Sequence, residues 1–312
     1  MTNDEILRKE LGDDLKQNVV LKDYVSLKVG GVADFFYAAK KIEDLVNAVS
    51  TAYKYKIPYF VLGGGYNVVP SDAGFPGLVV KNESSNIVFS PDFSTVIADG
   101  GVNLGKLINI AAGRDLGGLE FLFGVPGTVG GSIYGNAGAF GHEIGDFVKS
   151  LTIMLPNDDK MTIVKHSANW MDHSYRSSRL KKEFSDTKFK PVILTATLQL
   201  VQRRKDEILR MMQEAIAKKK NSQPLNEVSS GSFFKNDGVE KEKSAGYLLE
   251  SSGAKKLRVG GAEFSKKHAN FLINKRNATA TDVRALAEKA KDLVENKSNI
   301  RLDEEVEYIG KW

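Results

Sequence analysis

Apolar residues recur at helical spacing over residues 42–55, where Ile42, Leu45, Val46, Val49 and Tyr53 share one face. Pro58 ends that helix, and Tyr59-Phe60-Val61-Leu62 reads as a buried strand. Leu78-Val79-Val80, Ile87-Val88-Phe89 and Thr95-Val96-Ile97 are short strands separated by turn residues. Residues 103–114 are helical, with Asn103 as N-cap. Strands follow at residues 151–155 and 192–201, and the polar stretch between them, residues 156–190, reads as irregular. Residues 204–220 form a helix that turns Ile208, Met212, Ala215 and Ile216 inward. Residues 243–252 form another, with Gly253 at its C-cap. Residues 281–295 are amphipathic, with Val283, Leu286, Ala287, Ala290, Leu293 and Val294 on one face. A strand at residues 305–309 closes the chain, placing Glu305 and Glu307 on the same side.

One stretch fits neither period. Between Phe123 and Gly141 there are seven glycines, one proline and almost no charge. Glycine costs backbone entropy and brings no packing, so neither helix nor strand favours this run. It suits a place where backbone approaches a ligand closely and offers it N–H groups, as phosphates require. A second such segment is Gly63-Gly64-Gly65-Tyr66-Asn67, directly after the strand at residues 59–62. Neither segment is a P-loop, since no Gly-Lys-Ser/Thr follows at the right distance. Nor is Gly63-x-Gly65 a dinucleotide fingerprint, because position 68 is Val68. Each alone reads as a tight turn; two backbone-donor loops facing one cleft suit a pyrophosphate.

Composition narrows the picture further. The chain has 312 residues, enough for two or three domains, and the change from glycine- and strand-rich sequence to helix falls near residue 202. There are no cysteines, which excludes disulfides, thiolate nucleophiles and cysteine-ligated metals, and fits a cytoplasmic protein. No run is long enough to span a bilayer, and the polar residues 1–10 are not a signal peptide. The net charge of +5 reads as a solvated surface, since no aromatic-interleaved basic motif marks a nucleic-acid face. It also suits an anionic small-molecule substrate.

The candidate chemistry is sparse. His142, His166, His173 and His268 lie in no metal-ligand spacing, so no metal is expected. Ser232 lacks the Gly-x-Ser-x-Gly elbow of a hydrolase; it either caps a loop or presents a hydroxyl to an apolar pocket. Arg176 in Tyr175-Arg176 stays protonated, so it either stabilises developing negative charge or forms a surface ion pair.

In chain order, several segments resemble the UDP-N-acetylenolpyruvoylglucosamine reductase family. They are Lys28-Val29-Gly30-Gly31-Val32-Ala33-Asp34, residues 62–69, residues 124–141 and Ser174-Tyr175-Arg176-Ser177-Ser178. Gly231-Ser232-Phe233-Phe234-Lys235-Asn236, Val259-Gly260-Gly261-Ala262, residues 267–274 and Leu302-Asp303-Glu304-Glu305-Val306 complete the set. The ordered set covers residue 24 to the C-terminus and is far more specific than any one motif.

The resemblance implies an α+β protein with an FAD-binding fold of the vanillyl-alcohol-oxidase/PCMH type. That region spans residues 1–201 in two subdomains split near 82, followed by a substrate domain at 202–300 and a terminal strand at 301–312. It implies FAD, held non-covalently by Gly63, Gly64, Gly65, Tyr66, Asn67, Gly124, Pro126, Gly127, Thr128, Gly130, Gly131, Asn136, Ala137 and Gly138. It implies NADPH as reductant, which leaves before UDP-N-acetylglucosamine enolpyruvate enters, giving UDP-N-acetylmuramate for peptidoglycan synthesis and hence for cell shape and division. The family's arginine, proton donor and glutamate fall on Arg176, Ser232 and Glu305, and substrate contacts fall on Tyr175, Lys220 and Asn236. Hydride would reach the enolpyruvyl β-carbon from the flavin N5, and Ser232 would protonate the α-carbon. Tyr66, Asp237 and Leu180 depart from the family's usual Ser, Pro and Phe without removing a catalytic group. Residues 151–201 lack the substrate-capping tyrosine loop of one branch, which places the chain in the shorter branch. A monomer is the default expectation. Two alternatives compete: an FAD-dependent alcohol or sugar oxidase, weakened by the absence of cysteine or of histidine in residues 62–67, and a non-enzymatic nucleotide-sugar binder.

Overall fold

The computed structural model describes residues 1–92, 94–185, 187–238 and 240–312. Two compact units share the chain discontinuously. One comprises residues 1–17, 35–64 and 77–217; the other comprises residues 18–34, 65–76 and 218–312.

In the first unit, helices α1 (Asn3–Leu11) and α2 (Ile42–Lys54) cover a sheet at one edge of which Tyr59–Leu62 runs parallel to Phe75–Asn82. Ile6, Leu7 and Leu11 of α1 and Leu45, Ala48 and Val49 of α2 meet Tyr59, Leu78 and Val80 in one core. Helix α1 lies in the polar N-terminal residues and is set by local chemistry. Thr2 and Glu5 form a reciprocal capping box, and acidic first-turn and basic last-turn side chains complement the helix dipole.

A second sheet of this unit runs in the order Lys160–Ser167, Val148–Asn157, Val192–Gln199, Thr95–Asp99, Ile87–Phe89, with antiparallel pairing throughout. Helices α3 (Leu104–Ala112) and α4 (Val129–Tyr134) close its core through Leu104, Leu107, Ile108, Val129 and Ile133. Two expectations fail here. Residues 156–190 are not irregular: they hold the strand Lys160–Ser167 and helix α5 (Arg179–Phe184). The strand is at the sheet edge and alternates between exposed and half-buried positions, so its composition reads as polar. The glycine-rich run is also not free of helix, since α4 lies inside it. Thr128 caps α4 by accepting from the Gly131 N–H at 3.3 Å, and a Cβ on Gly130 would sit 3.0 Å from the Gly100 carbonyl oxygen. Glycine costs about 1 kcal/mol in a helix, but only glycine allows this close packing on the end of the neighbouring strand.

In the second unit, Ser229–Ser232, Phe271–Asn274, Ala262–Phe264 and Arg258–Val259 form an antiparallel sheet. Helices α7 (Ala245–Ser252) and α8 (Ala280–Ser298) pack into its core through Leu248, Leu249, Val283, Leu286 and Ala290. Helix α6 (Lys205–Ser222) precedes this sheet in the chain. Asp72 ties residues 65–76 to the start of α8, accepting from the Ala280 and Thr281 N–H groups at 2.8 Å each and from the Thr281 hydroxyl at 2.7 Å. The closing strand is Glu307–Ile309, parallel to Val68–Pro70, and begins two residues later than expected. Glu305 therefore lies outside it, beside the isolated bridge Phe234–Glu304. No helix among the described residues is long and apolar enough to cross a membrane.

Candidate active site

The two glycine loops meet within the first unit. A Cβ on Gly63 would fall 2.7 Å from the Thr128 hydroxyl, so the close approach of the loops requires glycine. Lys81 donates to the Gly63 carbonyl, and burial pulls its ammonium below the usual lysine range. Sequence reasoning did not single out Lys81, because a lysine ending an apolar strand carries no motif. The N–H groups of Val129, Gly130 and Gly131 turn inward, to the Val102 carbonyl, the Gly100 carbonyl and the Thr128 hydroxyl. These three donors serve the packing of α4, while Gly124, Pro126 and Gly131 keep an exposed, uncharged surface. A phosphate-bearing cofactor such as FAD fits this arrangement: two glycine-rich segments in contact at Gly63 and Thr128, with a lysine fixed on one of them.

Asn136, Ala137 and Gly138 lie beside Arg176. The Asn136 side chain is buried and donates to Glu143 at 2.5 Å and to the Ser174 carbonyl at 2.9 Å. Arg176 donates to the Gly138 carbonyl at 3.0 Å and to the Asn136 carbonyl at 3.5 Å. Ser174 and Ser177 exchange backbone hydrogen bonds of 3.1 and 2.9 Å, so Tyr175 and Arg176 form the tip of a tight turn. Arg176 there has φ +53°, a left-handed conformation costing a non-glycine residue about 1–2 kcal/mol. Its guanidinium carbon lies 5.2 Å from the centre of the Tyr175 ring.

Ser232 and Glu305 belong to the second unit. Gly231 at φ +84° and a register shift between Ser229 and Ser232 make a bulge that re-aims Ser232. The next two residues are buried and pinned by Asn270. The Phe234 N–H donates to the Asn270 side-chain oxygen at 2.9 Å, the Asn270 amide returns to the Phe234 carbonyl at 2.8 Å, and the Phe233 N–H donates to the Asn270 carbonyl at 2.9 Å. The Glu305 N–H donates to the Phe233 carbonyl at 2.8 Å. Ser232 and Glu305 thus stem from neighbouring backbones. Glu304 is used differently: its carboxylate meets Lys291 at 3.2 Å and accepts from Tyr308 at 3.1 Å.

The remaining expected contacts are scattered within this unit. The side-chain oxygen of Asn236 accepts from the Ala245 N–H at the start of α7, at 3.0 Å. Lys220 is exposed on α6, and its carbonyl accepts from Lys267. Its neighbour Lys219 is 7% exposed, and burial pulls its ammonium down to about 8. The sequence did carry a signal for Lys219, because it continues the i, i+4, i+7, i+11 face of Ile208, Met212 and Ala215. Among the described residues no three His, Asp or Glu side chains gather as a metal site requires.

Fold and loops together define a flavin-binding α+β protein, with an FAD-binding region of the vanillyl-alcohol-oxidase/PCMH type and a further C-terminal α+β domain. Residues 33–163 match the family described as FAD binding domain, and residues 223–309 match UDP-N-acetylenolpyruvoylglucosamine reductase, C-terminal domain. The chain is 38% identical over 309 residues to the UDP-N-acetylenolpyruvoylglucosamine reductase of Clostridium novyi, covering 99% of this chain and 95% of that relative. It is 35% identical over 309 residues to that of Anoxybacillus flavithermus, covering 99% and 98%. The crystal structure of the reductase (MurB) from Thermus caldophilus superposes with a TM-score of 0.76 at 31% identity, covering 93% of this chain and 97% of that one. The chain belongs to the UDP-N-acetylenolpyruvoylglucosamine reductase family and is an FAD-dependent oxidoreductase of peptidoglycan precursor synthesis.

Proposed function

We propose that this chain reduces the enolpyruvyl ether of UDP-N-acetylglucosamine to UDP-N-acetylmuramate with NADPH as electron source. NADPH becomes NADP+; one hydride adds to the β-carbon and one proton to the α-carbon, and the carbon–carbon double bond is lost. FAD, held by the two glycine loops, would supply the hydride.

The protein's own residues handle charge and proton. Arg176 stabilises the negative charge that spreads toward the substrate carboxylate, and Glu305 supports the same enolate, each contributing about 3 kcal/mol when preorganised. Ser232 gives its hydroxyl proton to the α-carbon and regains one from solvent. A serine is a weak acid, so the step needs a strongly basic intermediate and a dry site. Tyr175, Lys220 and Asn236 hold the substrate carboxylate and diphosphate. The two glycine loops, with Asn136, Ala137 and Gly138, hold FAD.

The observation that carries this reading is the pairing of the Ser232 and Glu305 backbones through Phe233. It supports the reading because the residues on which the family's proton donor and glutamate fall stem from neighbouring backbones. In the same reading residues 1–201 form the FAD-binding region, split near 82, residues 202–300 the substrate domain and residues 301–312 the returning segment; the protein is a cytoplasmic monomer. Turnover in D2O tests the chemistry. The product should have gained one hydrogen isotope at each carbon of the former double bond, with solvent deuterium on the α-carbon. Absence of α-deuterium removes the Ser232 step, and absence of any product removes the reaction.

A further inference from the structure

The parallel ladder between residues 68–70 and 307–309 begins with Glu307 opposite Val68, one step too late to hold the Glu305 peptide. One side chain extends it. The Asn67 amide donates to the Glu305 carbonyl at 2.9 Å, and the Asn67 carbonyl accepts from the Glu307 N–H at 2.9 Å. With the Glu305 N–H already on the Phe233 carbonyl, both polar groups of the Glu305 backbone are fixed. We propose that Asn67 is a positioning residue for Glu305, holding the peptide that carries the carboxyl group which supports the enolate.

The inference rests on the reading above for the role of Glu305, and on the hydrogen bonds alone for the role of Asn67. An asparagine that served only a diphosphate would have its amide turned to the ligand. Here one N–H is used on the carbonyl of a residue far along the chain, and its own carbonyl holds the residue two further on.

Two variants test it, Asn67→Ala and Asn67→Asp, the second being isosteric but lacking the donor at neutral pH. In both, reoxidation of the flavin-loaded fraction by the enolpyruvyl substrate should slow by about tenfold or more, and by more than its anaerobic reduction by NADPH slows, so that the loss falls on the half-reaction that needs Glu305. In a Glu305→Gln background the added Asn67→Ala should cost less than about twofold, because the two residues act as one unit. Hydrogen exchange in residues 304–309 should quicken by about tenfold in either variant, with α8 unchanged. Lost flavin with normal reoxidation of the remaining holoenzyme would overturn the proposal and assign Asn67 to the cofactor. So would a full additional loss in the Glu305→Gln background, or unchanged exchange in residues 304–309. Wild-type protein that is reduced by NADPH but not reoxidised by the substrate would overturn the functional reading, and this is seen before any variant is made.

Discussion

Replacing Lys219 by methionine should make the protein more stable at neutral pH. The ammonium is 7% exposed, and burial pulls it from 10.5 to about 8. A displacement of that size corresponds to about 3 kcal/mol of penalty on the charged form. The sign follows from proton counts. Below pH 8 both folded and unfolded chains hold the proton, and the penalty on folding is complete. Between pH 8 and 10.5 the unfolded chain holds more protons than the folded one, so wild-type stability rises with pH. Above 10.5 the penalty is gone. Methionine has a similar volume and no charge, so Lys219→Met removes the penalty at every pH. Urea denaturation followed by circular dichroism should show the variant ahead by about 3 kcal/mol at pH 7, with the lead shrinking to under about 1 kcal/mol at pH 10. A lead that does not change with pH, or a variant less stable at pH 7, would refute the argument.

Other substitutions follow the same logic. Ser232→Ala should keep FAD and its reduction by NADPH in stopped-flow absorbance, yet lose turnover by about 10²-fold or more; near-normal turnover removes Ser232 from the mechanism. Asn270→Ala leaves the buried Phe234 N–H and carbonyl without their partner, so thermal denaturation should show a loss of about 2–4 kcal/mol. Gly63→Ala drives a methyl group into Thr128, and flavin affinity measured by fluorescence should drop; Thr128→Gly in the same chain should restore much of it, because glycine remains a serviceable N-cap. Burial raises the Asp72 carboxyl, but the hydrogen bonds from Thr281 and Ala280 outweigh it and leave it below the usual carboxylate range. Its contribution is therefore present above pH 4 and lost as pH falls through the lowered value, and Asp72→Ala should flatten the acid limb of the stability curve.

Much of this architecture is legible in the residues. The amphipathic stripes of α2, α3 and α8 and the N-cap at Asn103 stand in the sequence because helix period and capping are local. Edge strand Lys160–Ser167 is not, since a strand with a solvent-facing side carries few apolar residues. Helix α4 is hidden for the opposite reason: its glycines oppose a helix locally, and only the contact with Gly100 explains them. For the site, the resemblance of the ordered segments points to Arg176, Ser232 and Glu305, where residue type alone leaves their roles open. The supports do not show, because the Asn270 clamp on Phe234 and the Asn67 bond to Glu305 span 36 and 238 residues. The burial of Lys219, and not Lys220, could have been read by extending the helical face of α6 by one turn.

The central claim is most directly tested by the absorbance spectrum of the purified protein under anaerobic conditions, first alone, then with NADPH, then with the enolpyruvyl UDP-sugar. A flavin spectrum that bleaches with NADPH and returns with the sugar is the predicted result. A flavin that bleaches and returns only with oxygen, or a colourless protein that takes up no added FAD, would contradict it.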